Sequence, residues 1–295
     1  MFELIQSKAS NRDFQQSRAH PQAFFMHLYK AGGTSVHMAV ADSLEEYEIC
    51  PVREQNFALC VTNLQAETAQ LLPYRFVSGH FDIWHARILK AAGFSTFTQL
   101  RDPLARIASV YNFLRAHSRA RHPRMKDSTP FSRLIIAAKE MPIGQFFQSA
   151  ICREALVFNN HYVNAFAAPE SVIETPIPEH LLDIRKVEAV KNLDMFKTIG
   201  FLENQVHLVN KIRGSLLLPQ VNKVTPIKKT ADEMTWHEWM EPVELVSSQA
   251  IKPHVTELIS GDQFIYDRAK EKFFHPPSEE PGSFASIRLK YLSLT

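Results

Sequence analysis

Cysteine is scarce in this chain: Cys50, Cys60 and Cys152 are the only three in 295 residues, odd in number and widely spaced. That argues against a disulfide framework or a cysteine-based zinc site and suits a reducing compartment. No apolar run approaches the roughly 20 residues that cross a bilayer. The opening stretch to Pro21 spreads Lys8, Arg12 and Arg18 through polar sequence and lacks the apolar centre of a secretion signal. These absences make a cytoplasmic protein the expectation. An excess of one charge is also missing, since a formal +2 and a pI of about 8.4 are too mild to imply a nucleic-acid partner. Neither an internal repeat nor a residue cluster with metal-ligand spacing appears. What is present is ordinary globular composition, 45% hydrophobic and 22% charged. A chain of this length can bury roughly 75% of its unfolded surface without staples.

Residues 1–21 read as a loosely held leader, 22–275 as a single domain, and 276–295, with Pro276, Pro277, Pro281 and Gly282, as a tail with little reason to fold alone. Apolar runs predict strands over 22–28, 74–78 and 95–100, shorter ones over 46–51 and 57–61, and one more within 193–199. Helices are expected over 34–43, over 62–72 behind a Thr62/Gln65 capping box, and over 103–117, with Pro103 at a first helical position. The second half is mostly helical, over 130–139, 143–149, 179–192, 204–213, 232–238, 244–259 and 262–274, with an irregular loop at 219–230. Strands alternating with helices predict an α/β fold whose central parallel sheet is flanked by helices, with a mostly helical C-terminal half. Ligands of such sheets sit beyond the carboxyl ends of the strands.

Two segments place cationic and hydroxyl groups at those ends. The first runs from an apolar strand into Lys30-Ala31-Gly32-Gly33-Thr34-Ser35. Glycines let the backbone approach a phosphate, and the amides and dipole of a helix start favour negative charge. Lys30 adds a point charge, and the Thr34 and Ser35 hydroxyls add donors. The spacing is not that of a Walker motif. A plain Gly-Gly turn with a helix cap and a surface lysine is the competing reading. The second segment brings Arg101 directly off a strand, with Ser109 eight residues on, about two turns of a 3.6-residue helix. An arginine fork plus a hydroxyl suits a phosphate. Pairing of Arg101 with Asp102, and a packing role for Ser109, compete with that. Two separated anion sites predict a ligand with two separated phosphates.

Taken in order, Lys-x-Gly-Gly-Thr-Ser, then Gly79-His80-Phe81, then Leu100-Arg101-Asp102-Pro103-x-x-Arg106-x-x-Ser109-x-Tyr111 resembles the carbohydrate sulfotransferases of the heparan sulfate 2-O- and 6-O-sulfotransferase type. The likeness continues through Asn159-Asn160, Ile199-Gly200-Phe201-Leu202-Glu203, Asn222 and Asp262-Gln263-Phe264-Ile265-Tyr266, covering roughly 22–275, strongly to 115. It implies a P-loop-like sheet and 3′-phosphoadenosine 5′-phosphosulfate (PAPS) as co-substrate. By resemblance, Lys30, Gly32, Gly33, Thr34 and Ser35 hold the 5′-phosphosulfate, and Arg101 and Ser109 the 3′-phosphate. His80 matches the position of a catalytic base, a role that suits a group titrating near neutrality; a structural histidine bonded to a carbonyl is the alternative, and His85 is a nearby rival. The implied reaction is in-line transfer of a sulfuryl group to a hydroxyl of a carbohydrate, with no metal. Where the family has proline and threonine around its lysine, this chain has Tyr29 and Ala31. The lost hydroxyl and the lost proline point to weaker donor binding.

Arg115, Arg119, Arg121, Arg124 and Lys126 carry no acid between them. Such a run is either a solvated helix end or a grip on an anionic acceptor. Trp84, Trp236 and Trp239 could stack on sugar rings, though aromatics are more often core or partly buried packing, and Asn159, Asn160 and Asn222 are further candidates for shaping the site. His237 and Glu238, adjacent on an expected helix, face different ways and form no catalytic pair. Two other functions fit the same turns: a magnesium-dependent phosphoryl-transfer enzyme, and a non-catalytic module that binds a nucleotide or an anionic glycan.

Overall fold

Short strands buried on both faces, as those in the first half of the chain are, require a layered fold. The computed structural model, which describes residues 20–50, 69–116, 130–167, 176–226 and 246–274, has that layering. In chain order the elements are β1 (Ala23–Met26), α1 (Gly33–Ala41), β2 (Phe76–Gly79), α2 (Ile83–Ala91), β3 (Ser95–Leu100), α3 (Pro103–Ala116), α4 (Pro130–Glu140), α5 (Ile143–Gln148), α6 (Ala150–Arg153), α7 (His161–Phe166), α8 (Leu182–Asn192), β4 (Thr198–Phe201), α9 (Gln205–Ser215), α10 (Ser248–Val255) and α11 (Ser260–Phe273). The four strands are all parallel in the order β2-β1-β3-β4. Helices flank the sheet and dominate the chain after β3. β1 lies between the strand that follows it and the next one, so the order reverses at the β1/β3 boundary, where open α/β sheets form a crevice.

Alternation along β1 distributes the core. Ala23 and Phe25 face Val36 and Val40 of α1 and Leu208, Val209 and Ile212 of α9. Phe24 and Met26 face the other layer, with Ile83, Ala86 and Leu89 of α2 and Ile265 and Ala269 of α11. Phe24, Phe25 and Met26 are fully buried, each contributing roughly 1.5–3 kcal/mol of hydrophobic transfer. A third cluster joins Ile107, Tyr111 and Leu114 of α3 to Phe146 and Phe147 of α5 and to Ile251 and Val255 of α10.

Several expectations are corrected. Of the strand expected over 46–51, the described residues 46–50 form none: Glu46–Glu48 is a 3-10 turn, and a single bridge from Ile49 reaches Phe76. There the Glu48 carboxylate accepts from the Glu45 amide and binds Arg75, both at 2.9 Å, so local bonds outcompete a ladder. The strand expected within 193–199 begins only at Thr198, after a 3-10 turn at Leu193–Met195. Three helices were not anticipated, α2, α6 and α7; α6 opens where Ser149 accepts from the Cys152 amide. α2 starts where Asp82 accepts from the amides of Trp84 and His85, and α7 starts after Asn160 turns left-handed at φ 45°. Most of the expected leader, the strand over 57–61, most of the helix over 62–72, the helix over 232–238 and the tail lie outside the described residues. Among the described residues, no helix is long and apolar enough to cross a membrane.

One buried ion pair ties the helices to the sheet. Arg106 of α3 and Asp262 of α11 are each 0% exposed and meet at 3.3 Å. Asp262 Oδ1 also accepts from the Tyr162 amide at 2.7 Å and the Val163 amide at 3.4 Å, capping α7. The Tyr162 hydroxyl donates to the Arg101 carbonyl at 2.6 Å and accepts from its amide at 2.9 Å. Burial pushes the Asp262 carboxyl up to about 6, against the opposing pull of Arg106 and the two amides.

Asp262→Ala should therefore cost about 3–5 kcal/mol in urea unfolding, because it leaves the Arg106 guanidinium buried without a counter-charge. The pH dependence has a defined sign. The folded protein binds the Asp262 proton more tightly, at about 6, than the unfolded chain does, at about 4. This group's contribution to stability falls as pH rises from about 4 to about 6 and is flat above that. The corresponding slope in melting temperature should vanish in Asp262→Asn.

Candidate functional site

The carboxyl ends of β1, β2 and β3 form one rim, and the turns leaving them carry the residues singled out above. The first turn stays tied to the sheet through the His27 amide, which donates to Gly79 at 2.8 Å. Its backbone then turns left-handed at Lys30, φ 59°, and at Gly32, φ 88°. Gly32 stands at the N-cap of α1, so this helix opens without a side-chain cap. Both glycines are sterically required. A Cβ on Gly32 would lie 2.6 Å from Leu202 Cδ1, and one on Gly33 would lie 2.0 Å from the His27 ring. Ser35 is buried and Thr34 half-buried, while the Lys30 ammonium lies 4.4 Å from the centroid of the Phe113 ring. Ala31 is 1% exposed within the apolar core. Tyr29, in place of proline, sets its ring 5.8 Å from both His80 and Phe113.

Three successive carbonyls of this turn are held by side-chain donors. Arg101 Nη1 reaches the Lys30 carbonyl at 3.4 Å, Gln99 Nε2 donates to that of Ala31, and Gln205 Nε2 donates to that of Gly32 at 2.9 Å. Neither glutamine was singled out in the sequence. Gln99 did leave a signal, as a polar residue on the buried face of β3 that carries Phe97; Gln205, the first residue of α9, left none.

At the second turn, burial lowers the Arg101 pKa and the Arg106 charge adds to that, against Tyr162 and Asp102. Its Nε is buried with no hydrogen-bond partner. Arg101 is thus a desolvated cation that an anion would relieve. Asp102 does not bond to it: its carboxylate accepts from the Ala105 amide at 2.8 Å and opens α3. Ser109 is half-buried within α3 and makes no hydrogen bond to Arg101 or to the first turn.

The structure brings His80 to the first turn. Its Nδ1 lies 2.8 Å from the His27 carbonyl, and its ring stacks on the His27 ring with centroids 4.4 Å apart. A carbonyl can only accept, so Nδ1 carries the proton in this bond. The rival His85 is instead buried, with Nδ1 2.8 Å from Asp82 Oδ1, and serves to cap α2. Burial raises the Asp82 carboxyl, but the His85 ring and the amides of His85 and Trp84 outweigh it, and it sits below the usual range. His161, not anticipated, lies close enough to His80 for their charges to interact. Burial, then the Arg106 charge, then His80 hold its pKa well below the usual value, against its bond to the Leu156 carbonyl.

The other candidates differ in their surroundings. Arg115 donates to the Ala138 carbonyl at 3.0 Å and to the Tyr111 hydroxyl at 3.3 Å, bracing α4 on α3; the other four cations of its run lie outside the described residues. Trp84 packs against the Arg87 guanidinium at 4.4 Å, and Trp236, His237, Glu238 and Trp239 lie outside the described residues. Asn160 Oδ1 accepts from the Gly261 amide at 2.8 Å, and Asn159 Nδ2 donates to Arg153 at 2.8 Å. Asn222 is exposed. Glu203 binds the Tyr266 hydroxyl at 3.0 Å and Lys270 at 2.8 Å. Among the described residues, no group of three or more His, Cys, Asp or Glu is placed to hold a metal ion. Comparison with protein-family models and with curated proteins gave no match to this chain.

Gly33→Ala should displace the His27 ring and, through the stack, that of His80. The expected readout is movement of both histidines' ring proton signals in NMR spectra, with those of His20 unchanged.

Proposed function

We propose that this chain is a PAPS-dependent sulfotransferase with a P-loop-like sheet, moving a sulfuryl group to a hydroxyl of a carbohydrate. The observation that supports this most directly is the hydrogen-bonded meeting of two cationic turns, Lys30–Ser35 and Arg101, at the reversal of strand order, with His80 braced against the first. A desolvated arginine and a glycine-opened helix start, held side by side, suit a ligand that is anionic at two points. In this reading the first turn takes the 5′-phosphosulfate and Arg101 takes the 3′-phosphate. Ser109, which is not tied to Arg101, joins it only through the ligand.

Catalysis then follows from what each group can do. His80 Nε2 accepts the proton of the acceptor hydroxyl as that oxygen attacks sulfur. The bond between sulfur and the bridging phosphate oxygen breaks in line with the attack. Negative charge gathers on the leaving 5′-phosphate, where the Lys30 ammonium and the amides opening α1 stabilise it. The products are a sulfate ester and adenosine 3′,5′-bisphosphate, and His80 returns its proton to solvent. The bond from Nδ1 to the His27 carbonyl holds the tautomer that this step needs.

Adenosine 3′,5′-bisphosphate should raise the melting temperature without magnesium, and Arg101→Ala should abolish the shift. Stabilisation by ATP that depends on magnesium would favour a phosphoryl-transfer enzyme instead. His80→Ala should keep the shift while sulfation, followed with labelled donor on a panel of sugars, drops about 10²–10⁴-fold. Stabilisation with no transfer to any acceptor would leave a nucleotide-binding module.

A further inference from the structure

We infer that Gln99 and Gln205 are positioning residues for the 5′ end of the donor: they turn the carbonyls of the first turn away, so that the amides from Gly32 onward, at the start of α1, face the anion, while the Ala31 amide stays on the Leu28 carbonyl. The inference rests on the sulfotransferase reading and goes beyond it to two residues whose side-chain amides are spent on the turn's own carbonyls. A tight turn of small residues has two ways to present itself to an anion. If its carbonyls point inward they repel the phosphate, and if they point outward the amides converge on it. Here each of three consecutive carbonyls is occupied by a side-chain donor from a neighbouring element, the Gln99 and Arg101 side chains coming from β3 and the residue beyond it, and Gln205 from the start of α9. The outward state is fixed before any ligand arrives.

Two further observations favour a positioning role over incidental packing. Gln99 Oε1 is buried and has no hydrogen-bond partner, so the fold leaves an acceptor unsatisfied while its amide stays on Ala31. The left-handed Gly32 is also enclosed by this clamp: a Cβ there would lie 2.9 Å from Gln99 Nε2 and 3.0 Å from Gln205 Nε2. The backbone and the two carboxamides therefore fit only one way round. The clamp also stands in for the proline that the resemblance leads one to expect before the lysine. Rigidity comes here from side chains that reach in from across the sheet.

The test compares two ligands that differ only at the end the clamp serves. Calorimetric titration of the full chain with adenosine 3′,5′-bisphosphate and with adenosine 3′-monophosphate would be made on wild type, Gln205→Met and Gln99→Met. Methionine keeps the length of glutamine and removes the donor. Each variant should weaken bisphosphate binding about tenfold, the scale of one lost hydrogen bond, and leave the 3′-monophosphate within about twofold. Gln205→Glu, which aims a carboxylate at the same carbonyl, should weaken the bisphosphate further. Should Gln99→Met fail to fold, the two Gln205 variants carry the test. Unchanged bisphosphate affinity, or equal weakening of both ligands, overturns the clamp while leaving the donor assignment standing. Absence of wild-type binding to either nucleotide overturns the donor assignment and the clamp with it.

Discussion

The pairing of Arg106 with Asp262 is the constraint on which the arrangement of this molecule depends. Two charges with no solvent access are tolerable only when each is matched and its remaining hydrogen-bonding capacity is used. Asp262 meets that condition by accepting from the start of α7 as well as from Arg106; Arg106 meets it in part, donating to the Val157 carbonyl at 2.8 Å while its Nε is buried without a partner. Three helices from distant parts of the chain are thereby fixed to one another. The Tyr162 hydroxyl carries the same constraint to the backbone of Arg101, so the second turn is anchored from behind by groups that never reach the rim.

The rim is thus organised from two sides. On one layer, α7 and α11 hold the end of β3; on the other, α9 delivers Gln205 and β3 delivers Gln99 to the turn after β1. Arg101 belongs to both, with its backbone held by Tyr162 and its side chain on the Lys30 carbonyl. The Arg101 guanidinium and the backbone of the first turn are therefore held in place by the fold itself. Dipoles and charges that need no reorganisation at the moment of reaction are the most effective stabilisers of a developing negative charge.

Much of the frame was readable from the residues. Ser95–Leu100 and the helix beginning at Pro103 fall where the apolar run and the proline place them, and Gly32-Gly33 marks a turn that no larger residue could make. What escaped notice was set by tertiary contact. Asp82 gave α2 its start, but its capping role is told from an ordinary surface aspartate only once His85 is seen folded back on it. Glu48 looked like part of a strand because its partner, Arg75, lies 27 residues away. The resemblance in the second half rested largely on Asn160, Gly200, Glu203 and Asp262, and each of these supports the scaffold. A motif match alone could not separate residues that meet a ligand from residues that hold those which do.

Lys30 is the one residue of the first turn bearing a long side chain on a left-handed backbone, a conformation that costs about 1–3 kcal/mol outside glycine. A third glycine there would relax the loop but discard the ammonium. A lysine at that position makes the rim a compromise, locally less comfortable than the chain could manage, in which mechanical ease is surrendered while an ammonium rests against the Phe113 ring.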